Sequence, residues 1–378
     1  MSSIGKRISV IGPGSSLVMD RRSVTKLLGA TAATGALLGG IGPAHAEPYK
    51  VGFVYVGPIE DFGYTHQHDV GRRAVDQALA GKVKTTYVEN VKEGPDSERV
   101  IRELATSGHG LIFTTSFGFM NPTIKVAKDF PKVHFEHATG YKRAANVATY
   151  NIRFYEGRYI QGVIAAKLSK SGVIGYIGSV PIPEVVMGMN AFMQGLRSVR
   201  SDAKIKIVWV NSWYDPGKEG DSAKAMFDQG ADIIAQHTDS AAPLQVAQQR
   251  GKLGFGQASD MMKFAPKAQL TSSIDHWDPY YIQRVKEAID GTWKSGDVWG
   301  GLKSGMLVMA PYANMPADVA SAAKAAEAGI RDGKITIFKG PIKDQSGQLR
   351  VKDGEALADD KIAGMNWLAE GIEGKLPS

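Results

Sequence analysis

The 378-residue chain reads as an α/β protein made of doubly wound parallel sheets in two lobes. Three observations point there. Short β-branched apolar runs recur between Gly, Pro and Asp; amphipathic stretches separate them; and the alternation runs roughly four times and then four times again. Usage is ordinary for a globular protein, 43% hydrophobic and 22% charged, which excludes disordered and fibrous classes.

The first 46 residues stand apart. Arg21, Arg22 and Lys26 precede an Ala/Gly/Leu-rich run over 27–41, and Ala44-His45-Ala46 supplies small residues for a signal peptidase. This order is read as an export signal for residues 1–46. The paired arginines resemble a twin-arginine signal, with Met19 taken as the start. Six glycines and threonines interrupt the run, so it is too short for a membrane span of about 20 apolar residues. The segment also carries Lys6, Arg7, Arg21, Arg22 and Lys26 against Asp20, so only +3 of the formal +7 belongs to the rest. That remainder is no footprint for nucleic acid. The chain has no cysteine, which leaves stability to the core and rules out a lipid anchor on an N-terminal cysteine. A periplasmic location without a lipid anchor is expected.

From Tyr49 onward, strands are expected over 51–56, 83–88, 111–115 and 133–136, and then over 173–177, 205–210, 233–236 and 253–256. Asp96 is read as a helix N-cap, and Asp215-Pro216 as an N-cap followed by proline at the first helical position. The helix carrying Glu156, Tyr159 and Gly162 opens the second set, which places a lobe boundary at about 151–155. Further strands are expected over 269–274 and 306–310, with helices over 280–289, 317–330 and 362–372. These late elements are too few for a third lobe and are read as crossing back between the first two. Ligands of such sheets sit beyond the carboxyl ends of the strands, so one site is expected in the cleft.

Aromatic residues mark those ends. Phe62 and Tyr64 follow the first strand, Phe117 the third, and Trp213 precedes Asp215 in the second set. Rings from both lobes suit a flat heterocycle or a sugar, because stacking on an aromatic face contributes about 1–3 kcal/mol per base. Asn121, Asp239, Asp260 and Asp275 are the candidate polar contacts, and carboxylates favour a ligand rich in N–H donors over an anion. The histidine pairs 66/68 and 134/137 fit no metal template and are read as surface or hydrogen-bonded residues. No Walker loop, Gly-x-Ser-x-Gly elbow or His-Glu-x-x-His occurs, and neither metal nor cofactor is expected. A hydrolase using Asp239, Asp260 and Asp275, or a binder of sugar or flavin, stays open on the residues alone.

Residues 61–71, the run Glu156-Gly157-Arg158-Tyr159-Ile160-Gln161-Gly162-Val163, the segment Val210-Asn211-Ser212-Trp213-Tyr214-Asp215-Pro216-Gly217-Lys218-Glu219, and Gly301-Leu302-Lys303-Ser304-Gly305 together make the chain resemble the basic membrane protein family. These are periplasmic substrate-binding proteins of ABC importers, related to purine-nucleoside-binding lipoproteins. The resemblance spans nearly all of 49–378. It implies a type I periplasmic-binding-protein fold with three crossovers, lobes of 47–152 plus 276–305 and 153–275 plus 306–378, no enzymatic activity, an inner-membrane permease as partner, and a monomer. It implies that Tyr64 and Trp213 stack on the ligand with Phe117 close by, and that Asn121 makes a polar contact where relatives often carry Asp. Relatives that bind nucleosides show Val-Asp-Ser-Asp where this chain has Gln257-Ala258-Ser259-Asp260, so Ala258 replaces the expected ribose acceptor. Asp275 replaces a family lysine. Both departures point to a bare purine base, adenine-like, over a nucleoside.

Overall fold

A computed structural model describes residues 47–377; the expected export signal lies outside the described residues. The chain begins with β1 (Tyr49–Val54), α1 (Gly63–Ala78), β2 (Val83–Val88), α2 (Pro95–Thr106), β3 (Leu111–Thr114) and α3 (Met120–Asp129). It continues with β4 (His134–Ala138), β5 (Val147–Ile152) and α4 (Phe154–Leu168). A second series follows: β6 (Val173–Gly178), α5 (Pro183–Arg197), β7 (Lys204–Trp209), α6 (Pro216–Asp228), β8 (Ile233–His237), α7 (Ala242–Gln249), β9 (Leu253–Gly256) and β10 (Gln269–Asp275). Then come α8 (Asp278–Ile289), β11 (Asp297–Gly300), β12 (Leu307–Met309) and α9 (Ala317–Arg331). The chain closes with β13 (Ile342–Lys343), β14 (Leu349–Val351), α10 (Asp359–Ala363) and β15 (Ile372–Glu373).

Two sheets result. The first has the order β2-β1-β3-β4-β5-β11 and is parallel throughout. The second has the order β12-β10-β9-β8-β6-β7-β15, and only β12 runs antiparallel to its neighbour. Central strands such as β3 and β8 are buried along their whole length, as helices on both faces require. The chain passes from one sheet to the other after β5, after β10 and after β11. In each sheet the strand order reverses once, between β1 and β3 and between β6 and β8, which opens a crevice at the strands' carboxyl ends.

Helices fix the halves from outside. Helices α4 and α5 approach closely: a Cβ on Gly162 would sit 2.1 Å from the Phe192 carbonyl oxygen, and one on Gly195 would sit 2.0 Å from that of Tyr159. Helix α8 returns to the first half, where the Glu136 carboxylate accepts hydrogen bonds from Tyr280, Arg284 and Trp293.

Two expectations are corrected. Asp96 is not the N-cap of α2: Gly94 holds that place at φ +93°, Pro95 starts the helix, and Asp96 faces the helix dipole from the first turn. The helix expected over 362–372 ends at Ala363. Ile362, Met365, Leu368, Ala369 and Ile372 have helical spacing and are all buried, but Gly364 terminates α10 and Gly371 turns at φ +91°, so that Ile372 pairs with Ile205 in the second sheet. Of the histidines read as surface or hydrogen-bonded, two are buried and hydrogen-bonded. His68 is buried, stacks on Trp277 at 4.7 Å and hydrogen-bonds to Tyr281, while His137 is buried against the Thr114 hydroxyl. Asp215 does cap α6, its Oδ1 accepting from Lys218 N at 3.0 Å with Pro216 next.

Candidate ligand-binding cleft

The two crevices face each other across a narrow cavity of about 30 Å³. The first half contributes Val56 and Tyr64 after β1, Ser116 and Phe117 after β3, and Thr139 after β4. The second contributes Glu184 after β6, Trp213 after β7, His237, Thr238 and Asp239 at the end of β8, and Gln257 after β9. A chamber of about 410 Å³ adjoins it, sharing Phe117, Thr139 and Glu184 and adding Asn151, Asp297, Trp299 and Asp360. Neither space is lined by Lys or Arg.

The halves touch along the start of α1. Gly63 N donates to Ser259 Oγ at 2.6 Å and Tyr64 N donates to Asp239 Oδ1 at 3.1 Å. Beside these bonds, Lys263 pairs with Asp61 at 3.0 Å and Phe62 meets Phe264 edge-on at 4.5 Å. Gly63 holds φ +87°, and a Cβ there would press on the Asp239 carbonyl oxygen at 3.1 Å, so glycine permits this approach.

Burial sets the electrostatics. The Asp239 carboxyl is pushed up to about 7 by burial and by the neighbouring Glu219 charge, against the opposing hydrogen bond from Tyr64 N. Asp275 is fully buried and makes no hydrogen bond through either carboxyl oxygen. Burial and the Asp239 and Glu184 charges hold its carboxyl well above the usual range, partly opposed by Arg158. Arg158 is itself buried, donating to Gln161 at 2.9 Å and to Gln257. His237 Nε2 lies 3.6 Å from Glu184 Oε1; burial lowers the imidazole's pKa and Glu184 partly restores it. Tyr64 OH, His237 Nδ1, Thr238 Oγ1 and Arg158 Nε make no hydrogen bond among the described residues. Buried polar atoms are nearly always paired, so these four have capacity left for a further donor or acceptor.

The structure brings Tyr64, Phe117, Trp213 and Asp239 to the cavity. Other expected contacts lie elsewhere. Phe62 packs on Phe264 at the edge. Asn121 is exposed on α3 and accepts from Lys142 Nζ at 2.8 Å. Asp260 is exposed and accepts from Met262 N and Gln269 Nε2, which also takes it out of the carboxylate set proposed for a hydrolase. Asp275 lies buried behind the lining residues. Ala258 is buried at φ +60°, accepts from Asp275 N through its carbonyl and does not line the cavity. Sequence reasoning passed over Glu184, His237, Gln257 and Arg158. The position of Glu184 and His237 beside the switch in strand order was the available signal; Arg158, in the middle of a helix, carried none.

Comparison with known proteins bears on this arrangement. Residues 49–346 match the model of the Bmp family, described as ABC transporter substrate-binding protein PnrA-like. The chain is 58% identical to a purine-binding protein of Brucella abortus, over 91% of this chain and 98% of that protein. It is 34% identical to a putative ABC transporter glucose-binding protein of Haloferax volcanii, over 90% and 84% of the two chains. In fold it resembles an ABC transporter solute-binding protein of Aeropyrum pernix K1, with a TM-score of 0.65, 18% identity and coverage of 83% and 95%.

Proposed function

Because this chain belongs to the Bmp family of PnrA-like ABC transporter substrate-binding proteins, we propose that it captures a purine in the cavity between its two sheets. In this reading it acts in the periplasm, without catalysis, and hands its ligand to an ABC permease in the inner membrane. The observation that carries the ligand class is the cavity wall itself. Tyr64, Phe117 and Trp213 offer aromatic rings, Asp239 and Glu184 offer acceptors, and no Lys or Arg lines the cavity to hold a phosphate. A neutral, flat, donor-bearing molecule satisfies all of this. The name of the Brucella relative supports the same class.

Adenine is the preferred ligand, since its amino and ring N–H groups match the carboxyl acceptors. A nucleoside is the second reading, favoured by the adjoining chamber, where Asn151, Asp297 and Asp360 could accept from sugar hydroxyls. Capture works by differential affinity: a ligand touching both halves favours the closed arrangement over the open one.

Titration calorimetry with adenine, hypoxanthine, adenosine, AMP and glucose tests the reading. Adenine is expected to bind, adenosine to bind more weakly, and AMP to lose about 100-fold or more, because an unpaired buried charge costs about 3–5 kcal/mol. Binding of glucose with no response to any purine would replace this reading by the one suggested by the Haloferax relative's name.

A further inference from the structure

One side chain ties both walls of the cavity together. Glu93 lies in the segment between β2 and α2, exposed at the rim. Its Oε1 accepts from Ser116 Oγ at 2.6 Å and from Gly118 N at 3.1 Å, which holds the loop carrying Phe117. The same oxygen accepts from Trp213 Nε1 at 3.3 Å, and Trp213 belongs to the other half. A Cβ on Gly118 would fall 2.2 Å from Glu93 Cδ, so the carboxylate reaches this position only over a glycine.

The contact continues through Trp213. Its carbonyl oxygen accepts from Asp239 N at 3.0 Å, and Asp239 Oδ1 accepts from Tyr64 N at 3.1 Å. Glu93 and Tyr64 on the first half therefore grip one connected unit, Trp213 with Asp239, on the second. Trp213 thus lines the cavity while its N–H is fastened to Glu93.

We infer that Glu93 is a positioning residue that latches Trp213 across the closed cleft and thereby sets how fast the ligand leaves. This rests on the reading of the cavity as the ligand site but not on which purine fills it. A bond between the halves that is present in the closed arrangement with or without ligand acts on release more than on entry, as most affinity differences between related complexes are differences in dissociation rate.

The test uses adenine as probe in stopped-flow binding to the wild-type protein and to Glu93→Ala, Trp213→Phe and the double variant. Trp213→Phe keeps an aromatic face but removes the N–H together with the second ring. Glu93→Ala is expected to speed dissociation about tenfold, equivalent to about 1.4 kcal/mol, with association within about twofold, and Trp213→Phe to speed it at least as much. The double variant is expected to be no faster than Trp213→Phe, since without the indole N–H the Glu93 carboxylate has no bond across the cleft left to lose. Independent, multiplying effects, or an unchanged dissociation rate in Glu93→Ala, would overturn the latch. Hydrogen exchange of the ligand-free protein supplies a second readout. Glu93→Ala is expected to quicken exchange over both 115–119 and 211–216; a change confined to 115–119 would show a loop support within one half and overturn the proposal. If adenine fails to bind the wild-type protein, the ligand reading fails, and the exchange comparison decides the latch.

Discussion

Asp239 concentrates the chemistry of the cleft in one side chain. It closes the halves through Tyr64 N, faces the cavity, and carries a carboxyl pushed up to about 7 by burial. In the unfolded chain the same group titrates near its ordinary value of about 4. Between those values the folded protein holds a proton that the unfolded chain has released, so raising the pH through this window removes stability. Melting curves from pH 4.5 to 7.5 are expected to show a fall with pH that is shallower in Asp239→Asn than in wild type; identical slopes would place the titration elsewhere. Asp275, whose carboxyl is raised chiefly by burial, contributes with the same sign. The sequence marked both carboxylates, but only packing separated the one that lines the cavity from the one that does not.

At the scale of elements, close approach of helices decides how the second half is built. Gly162 on α4 and Gly195 on α5 each meet the other helix's backbone, where a methyl group has no flexible neighbour to displace. Gly162→Ala is expected to lower unfolding free energy by about 1–3 kcal/mol, the usual cost of overpacking, against about 1 kcal/mol for removing the α6 cap in Asp215→Ala. Urea denaturation measures both, and equal stability of Gly162→Ala and wild type would refute the packing account. Most strands were legible to within a residue or two, because fully buried runs of β-branched residues have few alternatives. The end of the chain was not. Its helical spacing of apolar residues is real, but it serves a short helix, a turn at Gly371 and an edge strand, all packed on one surface of the second sheet.

For the whole molecule, the two sheets meet at their switch points, and the chain passes between them at three places while the start of α1 bridges the cleft opposite. Motion about those passages would break Gly63–Ser259, Tyr64–Asp239 and Glu93–Trp213 together, and a ligand touching both walls opposes it. Small-angle scattering is expected to show a smaller radius of gyration on adding saturating adenine, with the change reduced in Trp213→Ala. An unchanged radius in wild type at saturation would remove closure from the mechanism.

The sequence by itself determined the α/β alternation, the two series of strands and the aromatic residues at strand ends, because these follow from local periodicity and from rules for sheet edges. It also carried the motifs of the family. Only the tertiary structure decided which polar groups share the cavity. Asp239 enters while Asp260 and Asn121 turn to solvent, and Glu184 and His237 join it from segments far apart in the chain. The reason is physical: the direction of each loop beyond a strand end is set by contacts between the halves, made by residues as distant as Gly63 and Ser259.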